Sequence, residues 1–420
     1  MSPPTSPFAY RDFRLFMIAR FSATMATVGM VVIIGWQLYD VARSDYGMTP
    51  KEAAFQLGLL GLIQFVPFLI LSPVAGWTAD RFERRTVVRC AQAVDILIAL
   101  ALAIITTRDL VTLPLLFGLA ALHGAARVFV GPAQSAIAPN IVPPEALPRA
   151  VAASSMSMQM AAIAGPAAAG FLYAGQASAP YWVAVALLVI ASFALGQVKP
   201  VRPPPIAGDA HPFRQMIDGI VYVRRERFLF GAITLDLFAV LLGGATALLP
   251  VFARDILYVG ADGMGLLRAA PAAGSALVAL WLSFRPLTTN VGVKMLYAVV
   301  VYGAATAVFG LSETFLLSLA MLALLGAADM LSVFVRSSLV QLNTPDTMRG
   351  RVGSVSGVAI SASNELGEMQ SGMAAALLGP VGAVVFGGIG AIVVTGIWAW
   401  RFPELRNART FEPQNKDTPA

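Results

Sequence analysis

The strongest constraint on this chain is a succession of apolar runs, each long enough to cross a bilayer as a helix. About 20 apolar residues at 1.5 Å per residue match the ~30 Å hydrocarbon core of a membrane. Twelve such runs occur, at 15–41, 54–79, 87–107, 111–137, 148–174, 179–198, 228–257, 263–285, 292–311, 314–341, 351–378 and 380–400. Of the 420 residues, 57% are hydrophobic and only 12% charged, where a soluble domain averages about 25% charged. Mean hydropathy is +0.74. A soluble core could not bury this much apolar surface, so the solvent is lipid. The expected fold class is an all-α membrane protein with twelve transmembrane helices.

The net charge of +6 does not point to nucleic acid, because the arginines are spread thinly over short loops. They report orientation instead, since cytoplasmic loops carry the excess of Lys and Arg. With the N-terminus in the cytoplasm, only Arg43, Lys51, Arg108 and Arg254 lie in loops on the opposite side, while Arg20, Arg127, Arg268 and Arg336 fall within helices. The remaining basic residues gather on the cytoplasmic side, so both termini are expected there. The opening MSPPTSPFAYRDFRLF lacks the basic, apolar and cleavage regions of a removable signal peptide. The single cysteine, Cys90, excludes an intramolecular disulfide.

The longest hydrophilic stretch, 199–227, is broken early by Pro203, Pro204, Pro205 and Gly208. Phe213 to Val223 reads as a short amphipathic interfacial helix, with Phe213, Met216, Ile217 and Ile220 on one face. This linker divides the chain into a six-helix bundle at 1–198 and another at 228–401, leaving 402–420 as a disordered cytoplasmic tail. The halves share weak similarities. Gly58–Gly61 recurs as Gly265–Arg268, Val128–Val130 as Val333–Val335, and Pro144–Val151 as Pro345–Val352, in the same order and roughly 200 residues on. Parallel repeats of this kind mark transporter folds and imply two pseudo-symmetric bundles.

The stretch Ser72–Arg85, SPVAGWTADRFERR, places a short charged hinge between two apolar runs. With Tyr10–Phe16, Gly35–Asp40, Val335–Val352 and Asn364–Gly372, it makes the whole chain resemble the major facilitator superfamily. Within that superfamily it resembles the branch holding the bacterial enterobactin exporter and macrolide-efflux-like proteins. The resemblance implies a gating loop carried by Gly76, Asp80, Arg81, Arg84 and Arg85. Two departures stand out. Glu83 occupies a position where the superfamily loop usually has Gly, and Gly permits backbone angles that Glu disfavours. The corresponding stretch between the eighth and ninth runs has no Asp-Arg pair. In the fifth run, Gly165, Pro166 and Gly170 partly match the antiporter pattern, with Ala169 in place of one closing glycine. The family pattern implies export by exchange; small residues also simply let helices approach. Arg127, followed by Gly131, matches a buried arginine that the resemblance links to proton exchange; the plainer reading pairs it with a nearby carboxylate.

Ionisable residues at bilayer depth cost at least about 2.5–3.5 kcal/mol on insertion scales, so each requires a reason. The sixth, ninth and twelfth runs have none in their centres, whereas the fourth, seventh, tenth and eleventh do. That matches the superfamily, in which the former helices lie outside the central cavity. Glu365 and Glu368 share a face near the middle of the eleventh run, beside Asn364, Ser361, Ser363 and Gln370. Two carboxylates there can exchange a proton, or can be fixed by arginines. Asp329 and Arg336 lie on one side of the tenth run and read as an intrahelical or cross-helix pair. Asp236 in the seventh is a further protonatable candidate. Asp95 reads as the partner of a loop arginine, and His123 as a neutral group in a polar seam or a proton relay. Arg20 and Arg268 can snorkel to the surface. Trp36, Gln37 and Tyr39 are expected to anchor the end of the first helix at the headgroups, with substrate contact as the alternative.

No phosphate-binding Gly-Lys-Ser/Thr loop surrounds Lys51, Lys199, Lys294 or Lys416, which argues against ATP-driven transport by this chain alone. Two histidines and one cysteine, far apart, do not form a zinc site. The expectation is therefore a cofactor-free, metal-free, monomeric secondary transporter, not an enzyme, whose partners are a small-molecule substrate, protons and membrane lipid. Proton-coupled export of a small amphipathic molecule, drug-like or siderophore-like, across a bacterial inner membrane fits best. The rivals are a metabolite importer on the same fold and a non-transport membrane sensor or assembly protein. The orientation is testable. In a Cys90→Ser background, Ala207→Cys should react with an impermeant maleimide in inverted vesicles only; labelling in intact spheroplasts would reverse the topology.

Overall fold

The computed structural model describes residues 6–135, 137–201, 212–285 and 287–411, without the side chains of 80, 212–215, 346, 347 and 361. In chain order the spanning helices are α1 (Arg11–Ser44), α2 (Pro50–Arg81), α3 (Arg84–Thr107), α4 (Leu113–Ser135), α5 (Leu147–Gly175) and α6 (Ala179–Gly196). After a linker helix, Pro212–Arg225, come α7 (Arg227–Ile256), α8 (Gly260–Phe284), α9 (Val291–Leu311) and α10 (Phe315–Leu342). The helical stretch Asp346–Arg401 is interrupted at Gly379, whose φ of 79° suits glycine, and Pro380 follows it. It therefore forms two helices, α11 (346–378) and α12 (380–401), divided where the sequence divides the last two runs. Ten stretches are both long and apolar enough to span a membrane, the last of them holding α11 and α12. The remaining helix, α5, is long enough but is diluted by Ser, Gln and Gly. The described residues contain no strand.

The chain divides into two compact units. One takes in α1, most of α2, α3 to α6 and Ala253–Ala269. There α1 packs along α5 and α6, and α3 lies between α4 and α6. The other holds Pro50–Gly61, α7 up to Phe252 and the chain from Ala270 onward. Its apolar core gathers Leu229, Leu235, Val299 and Leu339 around Phe402 and Leu405. Residues 402–411 are thus folded rather than tail-like: Pro403–Arg406 form a helical turn with Leu405 buried, and the Gly292 N–H donates to the Ala408 carbonyl at 2.9 Å. The linker helix seats Val223 in the same core and leaves Ile217, Ile220 and Val221 exposed, as an interfacial helix requires. Pro203, Pro204, Pro205 and Gly208 lie outside the described residues.

Trp36, Gln37 and Tyr39 do not face lipid or water. Helix α1 continues to Ser44, so these side chains lie within it, only 6%, 3% and 0% exposed. Gln37 donates to Thr106 at 3.0 Å and accepts from the Tyr181 hydroxyl at 2.7 Å. The apolar runs ended earlier than the helix because polar residues at its far end have protein partners.

Lipid is as apolar as leucine, so helices associate by close packing rather than by hydrophobic exclusion. Glycine sets the closest approaches. A Cβ on Gly165 would lie 2.8 Å from the Met25 carbonyl of α1, and one on Gly265 of α8 would lie 2.5 Å from the Pro166 carbonyl of α5. By contrast, a Cβ on Gly76 would meet nothing within 4 Å. Gly165→Val and Gly265→Val should therefore each destabilise the protein by at least about 1–3 kcal/mol, the usual cost of overpacking, while Gly76→Ala should leave stability unchanged. Thermal unfolding midpoints of the detergent-solubilised variants measure the difference.

Candidate functional site

Charges buried within the spanning helices define the site. Asp236 of α7 and Arg336 of α10 form an ion pair, 8% and 3% exposed. Such a pair is tolerated when each member supplies what the other lost on leaving water. Of the readings open for Arg336, the cross-helix pair with Asp236 is the one present. Asp329, two turns earlier on α10, is half-buried, and no hydrogen bond or ion pair reaches it among the described residues.

On α11, Glu365 and Glu368 are half-buried and both are engaged by other groups, while Asn364 is exposed. Their helix is held against α2 by glycine. A Cβ on Gly61 would come within 2.9 Å of the Glu368 Cβ and 3.3 Å of the Glu365 carbonyl, and Gly58 lies equally close to Gly372. Ser363 turns its hydroxyl back to the Ile360 carbonyl at 2.9 Å. Nearby, α7 loses its helical form at Gly243 and Gly244, continuing as short 3-10, α and π turns to Ile256. The Tyr302 hydroxyl donates to the freed Gly243 carbonyl at 3.0 Å. Non-helical backbone at this depth survives only where protein satisfies it in this way.

The turn between α2 and α3 accommodates Glu83 without strain, since its φ is −59°. Glu83 accepts from the Thr86 hydroxyl at 2.6 Å and pairs with Arg85 at 2.8 Å. Arg85 also donates to the carbonyls of Gly196 and Val198 at the end of α6, at 3.1 and 2.5 Å, where a cation complements the helix dipole. The Arg84 N–H donates to the Val201 carbonyl, and the Arg81 guanidinium lies 5.1 Å over the Trp77 ring. The Asp80 side chain lies outside the described residues. Gly165, Pro166 and Gly170 act here as packing points of α5, against α1 and α8.

In α4, Arg127 is exposed. One turn earlier, buried His123 pairs with Asp95 of α3 at 2.8 Å. Asp95 is therefore not the partner of a loop arginine: it lies three turns inside α3, beyond the reach of the loop.

A further cluster was not expected from the sequence. Asp40 of α1 pairs with Arg254, while Arg43 pairs with Asp255 at 3.2 Å. The Tyr39 hydroxyl donates to Asp255, and Arg254 also donates to the Ser44 hydroxyl at 2.9 Å. Each element carries one acid and one base, and the π-turn Phe252–Ile256 presents the adjacent Arg254 and Asp255 together. The readable signal was an acid beside each of two bases otherwise taken as simple loop charges.

Twelve spanning helices, a glycine-broken seventh helix and charges kept at bilayer depth define a polytopic membrane transporter. The family model of the Major Facilitator Superfamily matches residues 15–368, and the chain belongs to that superfamily. The protein is accordingly a multi-pass membrane transporter and not an enzyme. Curated relatives include the enterobactin exporter EntS of Citrobacter koseri, 26% identical over 373 residues, covering 89% of this chain and 85% of that protein. EntS of Escherichia coli O1:K1 is 25% identical with the same coverage. Among solved structures, a POT family transporter in complex with 5-aminolevulinic acid superposes with a TM-score of 0.72 at 13% identity, covering 94% of this chain and 97% of that one. A D-xylose–proton symporter gives 0.68 at 13% identity, covering 95% and 99%. These structural likenesses concern the fold.

The Asp236–Arg336 pair yields a stability prediction. Arg336→Gln leaves a buried carboxylate without its cation and should cost about 3–5 kcal/mol. The double variant Asp236→Asn/Arg336→Gln should recover most of that loss. Unfolding midpoints of the single and double variants in one detergent decide it; equal losses in both would show that the pair contributes nothing as a pair.

Proposed function

We propose that the protein exports a small amphipathic molecule of the siderophore class from the cytoplasm of a bacterium, driven by protons, through alternating access across the inner membrane. Both termini and the 199–227 linker face the cytoplasm in this reading, and the bundles 1–198 and 228–401 alternate about the substrate. The identity of the curated relatives supports the export direction and the substrate class.

The observation that carries the coupling is the unequal treatment of the membrane-depth carboxylates. Arg336 is committed to Asp236, so Asp329 has no cation beside it, and a carboxyl group in that position is suited to bind and release a proton. Glu365 and Glu368 supply further titratable positions on α11. Protons moving down their gradient neutralise one of these groups, change the charge carried at bilayer depth and so bias which face is open. Gly76, Asp80, Arg81, Arg84 and Arg85 act as the cytoplasmic gating loop, Arg127 and Asn364 as polar contacts along the path, and Gly165, Pro166 and Gly170 as the packing hinge of α5. The cross-paired Asp40, Arg43, Arg254 and Asp255 serve as the opposite gate, breaking when substrate leaves.

Proteoliposomes test this with enterobactin as the probe. Inward-facing and inverted orientations separate export from import. Asp329→Asn, Glu365→Gln and Glu368→Gln keep side-chain size and remove the titratable proton. At least one should lose tenfold or more of gradient-driven accumulation, equivalent to about 1.4 kcal/mol of coupling, while retaining exchange without a gradient. Wild-type accumulation by all three would make these carboxylates structural.

A further inference from the structure

Asp95 and His123 are the most deeply buried ionisable pair in the described structure, each 1% exposed. They lie near the middles of α3 and α4, in a unit that does not contain Asp236, Asp329, Glu365 or Glu368. The Asp95 Oδ1 to His123 Nδ1 distance is 2.8 Å, but Asp95 Oδ2 and His123 Nε2 have no partner. One turn before Asp95 on the same face of α3, Gln92 is 1% exposed, and neither of its amide atoms has a partner. Four orphaned polar atoms in one apolar seam form a costly arrangement, since each unsatisfied group forfeits about 1–3 kcal/mol. A water molecule or an exchangeable proton would satisfy them.

Among the described residues no other charge pairs with them; on α3 itself the nearest, Arg89, is exposed and lies against Gly196. Helix α6, packed on α3, offers Tyr181, whose hydroxyl is held by Gln37 near Thr106, three turns from Asp95. Helix α1 offers Arg20, which donates to Met158 of α5. Helix α2 passes Gln64 against Gly124, and its charges, Lys51, Glu52, Asp80 and Arg81, lie three turns or more away. On α4 itself Arg127 is exposed. Among the described residues the carboxylate of Asp95 therefore has only the imidazole to balance it.

We propose that Asp95, His123 and Gln92 form a proton-binding site within the first six helices, separate from any coupling carboxylate of the other unit. The Nδ1–H stays on Asp95, which fixes the tautomer and leaves the Nε2 lone pair as the place where the proton adds. With the proton bound, the seam holds a neutral ion pair. Once it leaves, a single carboxylate charge remains among apolar side chains, and water must enter to solvate it. The Gln92 amide, whose atoms have no partner among the described residues, is available to the water that enters the deprotonated seam. Protonation thus closes the α3–α4 seam and deprotonation hydrates it. This reading is independent of substrate and transport direction.

The chain has two histidines, His123 and His211, so His211→Gln leaves His123 as a unique reporter. Ring-15N-histidine protein in lipid nanodiscs can be followed by NMR from about pH 5.5 to 8.5, the range in which imidazoles change charge. Nε2 should pass between protonated and bare states, Nδ1 should remain protonated, and water-to-ring magnetisation transfer should rise only in the bare state. In Asp95→Asn, a near-isosteric change, the ring should stay neutral throughout. An Nε2 signal fixed in one state over the whole range, a titration unchanged by Asp95→Asn, or ring hydration that ignores pH would each overturn the proposal. The first and third readings need no substitution in the buried seam, so a misfolded Asp95 variant does not blunt the test.

Discussion

Lipid offers a peptide N–H or C=O no partner, so each spanning segment must satisfy its backbone within its own helix. Every departure in this protein answers to that constraint. Where helix α7 breaks at Gly243 and Gly244, the Gly243 carbonyl is taken up by the Tyr302 hydroxyl and the Ala245 N–H. The stretch Asp346–Arg401 bends at Gly379, where a left-handed residue and the following proline coincide with the end of a span. Once the backbone is uniform, helix identity resides in side chains. The small ones decide which helices touch, and the charged ones decide what those contacts hold.

The spans were legible because length and hydropathy belong to one segment at a time. The separation of α11 from α12 at Gly379 and the charged turn after Arg81 could be placed to within a few residues. Pairings were less legible, because they depend on how each helix is rotated against its neighbours. Helices apolar on nearly every side give no amphipathic stripe from which to read that rotation. Asp95 thus looked like the partner of a loop arginine and instead meets His123. Tyr39 looked like a headgroup anchor and is fully buried against Asp255. Glu83 looked troublesome where glycine is usual, yet at φ −59° it stands without strain at the N-cap position of α3.

Charge is distributed in two regimes. Toward the helix ends, guanidinium groups find main-chain carbonyls, as Arg85 does at Gly196 and Val198. Those contacts use orphan helix-end acceptors and stay close to water. At bilayer depth the helical ladder uses nearly all the carbonyls, and charges must find one another. Asp236 with Arg336 and Asp95 with His123 follow that rule. Asp329 departs from it, which is the ground for the proton-binding role proposed for it.

The cluster of Asp40, Arg43, Arg254 and Asp255 belongs to neither regime, and its magnitudes fit the gate proposed above. Its side chains are roughly a quarter exposed, so each ion pair is worth at most about 1 kcal/mol. Two such bonds hold an element in place without making release prohibitive during a transport cycle. Specificity comes from the crossed arrangement rather than from strength. Because each element carries one acid and one base, sliding one past the other would set Asp40 toward Asp255 in one direction or Arg43 toward Arg254 in the other. Like charges in those positions repel, which rejects the wrong register more strongly than the pairs reward the right one. Two buried pairs would have locked the element permanently, and two neutral hydrogen bonds would not have fixed its register.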